Sequence, residues 1–206
     1  MRGFGASHCI GLSWNVRGIA LADVGSFLTT LLSEFDWSFL CIQELTKAVA
    51  GAPKEVGGHR IFACPSKGGA RVPAVVIHNR WDDYIKDSIV TGSAVGVKLQ
   101  LPFLGLVFIV CAHLSATSSR TDFYQTLDDL ETILKVVPND AIVICGTDAN
   151  CNLAGVDSSR MLVGPYTGDI FQAMQRSSGR HHQTGRLLDS CGSCSSTAWW
   201  RTIRIS

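Results

Sequence analysis

The stretch Ala141 to Leu153, AIVICGTDANCNL, constrains the fold of this chain more than any other. Ala141, Ile142, Val143, Ile144 and Cys145 form a short apolar run with the pattern of a buried strand. Gly146 is expected to end the run and let the chain bend sharply. Asp148 and Asn150 then arrive two residues apart. An unpaired charge in a core is very costly, so Asp148 belongs at the mouth of the strand, where both polar side chains can share one cleft. That arrangement suits a divalent cation, a water molecule or a phosphate. The plainer alternative is a pair of Asx residues turning the chain at a strand exit.

The same pattern recurs along the chain. Cys9 to Val16 reads as a strand carrying Asn15 at its end, with Gly18 marking the exit. From Leu21 to Phe35, Val24, Leu28, Leu31, Leu32 and Phe35 fall at helical spacing, which gives one face to a sheet. Trp37 to Ile42 reads as the next strand and delivers Gln43-Glu44. Thr46 to Gly58 reads as a loop. His59 to Cys64 and Val72 to His78 are strand candidates on either side of a turn, Ser66 to Arg71. Asp87 to Leu101 predicts one strand or a hairpin, and Gly105 to Cys111 is a strongly apolar strand candidate ending in His113. Ser119 to Asp122 matches a capping box, and the helix behind it carries Phe123, Leu127, Leu130, Leu134 and Val137 on one face, stopped by Pro138.

After Leu153 the composition turns to Ser, Gly and polar residues, read as loops with a short helix near Asp169 to Met174 and a brief strand at Leu187 to Asp189. With only two clear helices among many strands, a simple βαβ series is excluded, and helices outside two packed sheets fit better.

The 206 residues fit one domain or a fragment of a larger one. A mean hydropathy of +0.21 excludes disorder. The net charge of +1 neither demands nor excludes nucleic acid. Cys9, Cys41, Cys111 and Cys145 lie in or beside apolar runs, where a thiol acts as a small hydrophobe. Cys191 and Cys194 make a single CxxC, a weak zinc signal. The most apolar stretch, broken by Pro102 and Gly105, is too short to span a bilayer. No secretory signal is apparent at Met1, so the expectation is an intracellular protein, the nucleus included, with no membrane association.

Four strand ends thus carry polar residues: Asn15, Gln43-Glu44, His113 and Asp148 with Asn150. Together they form one plausible active-site rim. In order, Trp14-Asn15, Cys41-Ile42-Gln43-Glu44, Gly68-Gly69 before Val75-Val76-Ile77, Ala112-His113-Leu114 and Gly146-Thr147-Asp148-Ala149-Asn150 resemble the motifs of the endonuclease/exonuclease/phosphatase superfamily. Thr147 then counts as one inserted residue. Gly185 to Asp189 and Thr197-Ala198-Trp199 look like segments of retrotransposon-type endonucleases. The resemblance covers residues 9 to 200.

That resemblance implies a four-layer α/β/β/α sandwich of two mixed sheets, one domain over residues 1 to 206, and a metal-dependent phosphodiester hydrolase acting on DNA. Glu44 and Asp148 would hold Mg²⁺ or Mn²⁺. Asp148 would also orient the attacking water, and Asn15 would hold Asp148 or Glu44 in place. His113 would donate to the scissile phosphate, with a satisfied core histidine as the alternative. Asn150 and Arg186 would contact the substrate. Relatives continue to an aspartate-bearing strand and a terminal Ser-Asp-His; this chain reaches Ser206 with neither, which implies a truncated domain with an open sheet edge. An inactive remnant and a phosphatase or phospholipid hydrolase on the same fold are the alternatives.

Overall fold

The apolar runs fold into two sheets that bury their facing sides against each other. The computed structural model describes residues 9–30, 37–46, 54–66, 70–113, 120–148 and 201–205. Its elements are β1 (Cys9–Asn15), α1 (Leu21–Thr30), β2 (Phe39–Leu45), β3 (Lys54–Val56), β4 (His59–Ala63), β5 (Val72–Ile77), β6 (Ile85–Val90), β7 (Ala94–Leu101), β8 (Gly105–His113), α2 (Arg120–Lys135), β9 (Ile142–Asp148) and β10 (Arg201–Ile205). A 3-10 helix over Asn79–Tyr84 leads from β5 to β6.

The first sheet has the order β10-β1-β2-β5-β4-β3 and the second β6-β7-β8-β9. Each contains one parallel pair, β1 with β2 and β8 with β9. A parallel pair needs a crossover connection. Here α1 supplies the first and α2 the second, and the approach of Glu44 at the end of β2 to His113 at the end of β8 puts the carboxyl ends of the two pairs at one rim.

Burial follows the two-residue period of the strands. In β8, Val107, Ile109 and Cys111 join the core between the sheets. The alternate residues Phe108, Val110 and Ala112 pack with Leu130 and Ile133 of α2. Both faces of β8 are therefore covered, which explains its nearly continuous apolar sequence. On the other side, Trp14 of β1 stacks on Phe27 of α1 at 3.8 Å between ring centroids. The layers run α1, first sheet, second sheet, α2, as expected from the sequence.

Several boundaries differ from the sequence reading. Gly146 does not bend the chain: β9 runs through it to Asp148, pairing one-to-one with β8 from Val107↔Ile142 to His113↔Asp148. Its missing side chain serves close approach instead, because a Cβ there would lie 2.5 Å from Cys41 Cβ on the opposite sheet. The segment read as a loop from Thr46 contains β3, which forms a hairpin with β4 around Gly57-Gly58. Cross-strand pairing overrides the weak local propensity of Lys54 and Glu55. Gln43 and Glu44 lie inside β2, not beyond it. Asp87 to Leu101 resolves into the hairpin β6–β7, and Pro102 to Leu104 is a turn before β8. β10 was not legible: its five residues include two arginines, yet they cover the edge of β1 from Cys9↔Ile205 to Ser13↔Arg201.

Leu31, Leu32, Phe35, Ser119 and everything named above between Ala149 and Trp200 lie outside the described residues.

Candidate active site

Asn15 ends β1 and Glu44 sits near the end of β2, side by side in a parallel pair whose register places Asn15 opposite Gln43. Strict alternation would put Glu44 on the same face as Leu40 and Ile42, away from the second sheet. Two features prevent this. Glu44 has φ +61°, the left-handed region, and the β2–β5 ladder shifts register between Ile42 and Leu45. A bulge of this kind re-aims a side chain, and a non-glycine residue at positive φ carries a cost that the surrounding structure must hold in place.

Among the described residues, the carboxylate so turned meets three groups. Asn15 Nδ2 donates to Glu44 Oε1 at 2.9 Å. The Asn15 amide is oriented by its other end, since Oδ1 accepts the Arg17 N–H at 2.9 Å. Arg71, just before β5, donates through Nη1 to Glu44 Oε2. His113, at the end of β8 in the other sheet, places Nε2 3.7 Å from Oε1. The Glu44 side chain is 14% exposed and that of His113 8%, whereas Arg71 is 54% exposed. The site is thus an enclosed carboxylate with a cation on its solvent side. Asp148 is the strand position directly opposite His113.

Beneath this rim Gln43 ties the sheets together. It is 2% exposed. Its Nε2 donates to Ser13 Oγ at 3.1 Å and to Gly146 O at 3.3 Å, and lies 3.7 Å from Cys111 Sγ. Buried polar groups must be paired, and this amide meets that need by joining β1, β2 and β9. Cys111 Sγ lies 3.3 Å from Ile42 O across the same interface. Hydrogen bonding with Cys111, followed by burial, pushes the Cys41 thiol up well above its usual range. Burial likewise raises Cys64. These thiols stay protonated and behave as small core residues, as the apolar neighbourhood of Cys41 suggested. Cys9, Cys41, Cys64, Cys111 and Cys145 are all free of disulfides.

Of the residues singled out in the sequence, the structure brings Asn15, Glu44 and His113 together and sets the backbone of Asp148 beside them. Asn150 and Arg186 lie outside the described residues. Arg71 was missed. It follows a Gly-rich stretch of sequence, and nothing local marks it as a partner of a residue 27 positions earlier. Gln43 was read only as the companion of Glu44; its burial as a pin between sheets was not visible.

Glu44 offers a hard oxygen donor, and Mg²⁺ or Mn²⁺ often takes one or two carboxylates and fills its shell with water. Among the described residues no three His, Cys, Asp or Glu side chains converge into a cage. An oxygen donor of this kind fits a hydrated hard cation.

The backbone arrangement is similar to that of several solved structures. The endonuclease domain of TRAS1, a telomere-specific non-LTR retrotransposon, superposes with TM-score 0.54 at 15% identity, covering 82% of this chain and 70% of that one. An AP endonuclease from Archaeoglobus fulgidus gives 0.55 at 14%, covering 82% and 69%. The chain shares the fold of these two endonucleases. A third member of that fold, the 3′ phosphatase NExo from Neisseria bound to product DNA hairpin, gives 0.52 at 11%, covering 82% and 71%. At these identities the likeness is one of fold. No protein-family model and no curated protein sequence matches the chain. Among the described residues, no helix is long and apolar enough to cross a membrane.

Proposed function

We propose that this chain is a metal-dependent phosphodiester hydrolase acting on DNA, of the retrotransposon endonuclease type. The observation that carries the reading is the turned Glu44 carboxylate, met by Asn15 from its own sheet and His113 from the other. A buried strand end has no packing use for a strained glutamate, and strain of this kind clusters at functional sites.

Glu44 and Asp148 would hold Mg²⁺ or Mn²⁺, which when bound supplies charge neutralisation at the phosphate and the leaving oxygen. Asn15 fixes the Glu44 carboxylate. His113 donates a hydrogen bond to a phosphate oxygen. Asp148 orients the attacking water and accepts its proton. Asn150 and Arg186 complete the substrate contacts. The endonuclease neighbours of this fold, and the neighbour bound to a product DNA hairpin, support the choice of polymer. The near-neutral net charge adds nothing to it.

A second reading has one specific support, the similarity to a 3′ phosphatase. It keeps the same rim but places a terminal phosphate there in place of a chain phosphodiester.

The test is nicking of supercoiled plasmid by the purified chain, with Mg²⁺ and with EDTA, beside Glu44→Ala and Asp148→Ala. Nicking that needs the metal and falls about a hundredfold or more in both variants is the expected result. No nicking, with metal-dependent release of phosphate from a 3′-phosphorylated oligonucleotide, supports the second reading. Neither activity from a folded chain overturns both and leaves a binding domain without catalysis.

A further inference from the structure

The two oxygens of Glu44 are held in different ways. Oε1 is the inner one. It accepts from Asn15, a neutral amide whose orientation is locked by the Arg17 N–H, and lies near His113. Oε2 is the outer one and is met by Arg71. Arg71 enters from the solvent side with more than half of its side chain exposed. Its guanidinium passes over Gly18, where a Cβ would lie 3.8 Å from Arg71 Nε and 3.9 Å from Cζ. Gly18 has φ +92° and its N–H donates to Glu44 O at 2.9 Å. Gly18 thus lies beside both the arginine and the backbone of Glu44.

A half-exposed ion pair of this kind is weak, because water screens it. The amide contact on the inner oxygen is fixed, while the cation on the outer oxygen is easily withdrawn. We infer that Arg71 is a removable counterion for Glu44: it neutralises the strained carboxylate in the metal-free protein, yields Oε2 to an arriving divalent cation, and is released toward a substrate phosphate. The inference rests on the reading of Glu44 as a metal ligand. It adds that metal binding is a competition with an internal cation. An arginine freed beside a metal-bound phosphate is also well placed chemically, since its planar fork matches phosphate oxygens.

The two possible roles of Arg71 predict opposite signs. A purely orienting arginine helps Glu44 bind metal, so its loss weakens binding. A competing counterion hinders metal, so its loss strengthens binding. The experiment is calorimetric titration of the full chain with Mn²⁺ at low salt, for the parent, Arg71→Met, Arg71→Lys and Glu44→Gln, each checked for folding by circular dichroism. Arg71→Met is expected to bind Mn²⁺ about two- to fivefold more tightly than the parent, with Arg71→Lys between them. Added salt should narrow the difference, since it screens the pair. Unchanged or weaker binding by Arg71→Met, with binding lost in Glu44→Gln, overturns the counterion role and leaves the metal reading standing. Full binding by Glu44→Gln, or no binding by either the parent or Arg71→Met, overturns both.

Discussion

Glu44 Oε1 and His113 Nε2 lie 3.7 Å apart although one belongs to the first sheet and the other to the second. The contact exists because Glu44 leaves the alternation of β2. Its left-handed backbone and the adjacent bulge turn the carboxylate to the rim where the two parallel pairs end.

That strain is measurable. At φ +61° a Cβ costs energy that glycine avoids. Glu44→Gly is therefore expected to be more stable than Glu44→Ala by about 1 kcal/mol, read from urea unfolding midpoints. Both variants should be equally inactive in plasmid nicking, since both lack the carboxylate. Equal stability would mean that the backbone at residue 44 relaxes once the side chain is gone.

Gly146 is expected to tolerate no side chain. A Cβ there would sit 2.5 Å from Cys41 Cβ and 2.6 Å from Cys41 Sγ. Gly146→Ala should cost about 1–3 kcal/mol by overpacking. Cys41→Ala should not rescue it, because the clashing Cβ remains, whereas Cys41→Gly should recover part of the loss. Denaturant unfolding of the single and double variants checks this, and equal rescue by both Cys41 changes would exclude the steric account.

Gln43 should behave as a pin between the sheets. Gln43→Leu leaves the buried Gly146 carbonyl without the donor that now reaches it at 3.3 Å. An unsatisfied buried group costs about 1–3 kcal/mol, so stability should fall by that amount. A loss below about 0.5 kcal/mol would show that the carbonyl finds another donor.

The far end of the first sheet should be sensitive to acid. Burial holds His59 below its usual value of 6.5, against the opposing pull of Asp82 and then Glu55. Its ring lies 4.6 Å from that of His78 and 4.8 Å from that of Trp37, and its Nδ1 accepts the Asn79 N–H at 3.1 Å. Above 6.5 the ring is neutral in both folded and unfolded chains and contributes no pH dependence. Below it the unfolded chain takes up a proton that the folded chain resists, so stability is lost as pH falls from 6.5 toward the lower folded value. Thermal melting is expected to be lower at about pH 5.5 than at about pH 7.5. His59→Gln should flatten that dependence, and an unchanged slope in the variant would assign it to other groups.

Much of this architecture is written locally. Alternating and continuous apolar runs located β1, β5, β8 and β9, and the spacing of Phe123, Leu127 and Leu130 located α2, because burial on a two- or 3.6-residue period is a property of the chain itself. Polar residues at strand ends marked Asn15, Glu44 and His113 for the same reason: they interrupt runs that packing alone would continue.

Tertiary structure alone decided the rest. The turn of Glu44 out of its strand follows from register with β5, and its pairing with Arg71 joins residues 27 positions apart. Gly146 looked like a hinge and is a point of contact with Cys41, while Gln43 reaches a carbonyl 103 residues away. β10 has little apolar signal of its own and is a strand because β1 offers it a ladder. A sequence records what each segment must bury; which groups then meet depends on how the two sheets close, and that is fixed only when distant segments share one core.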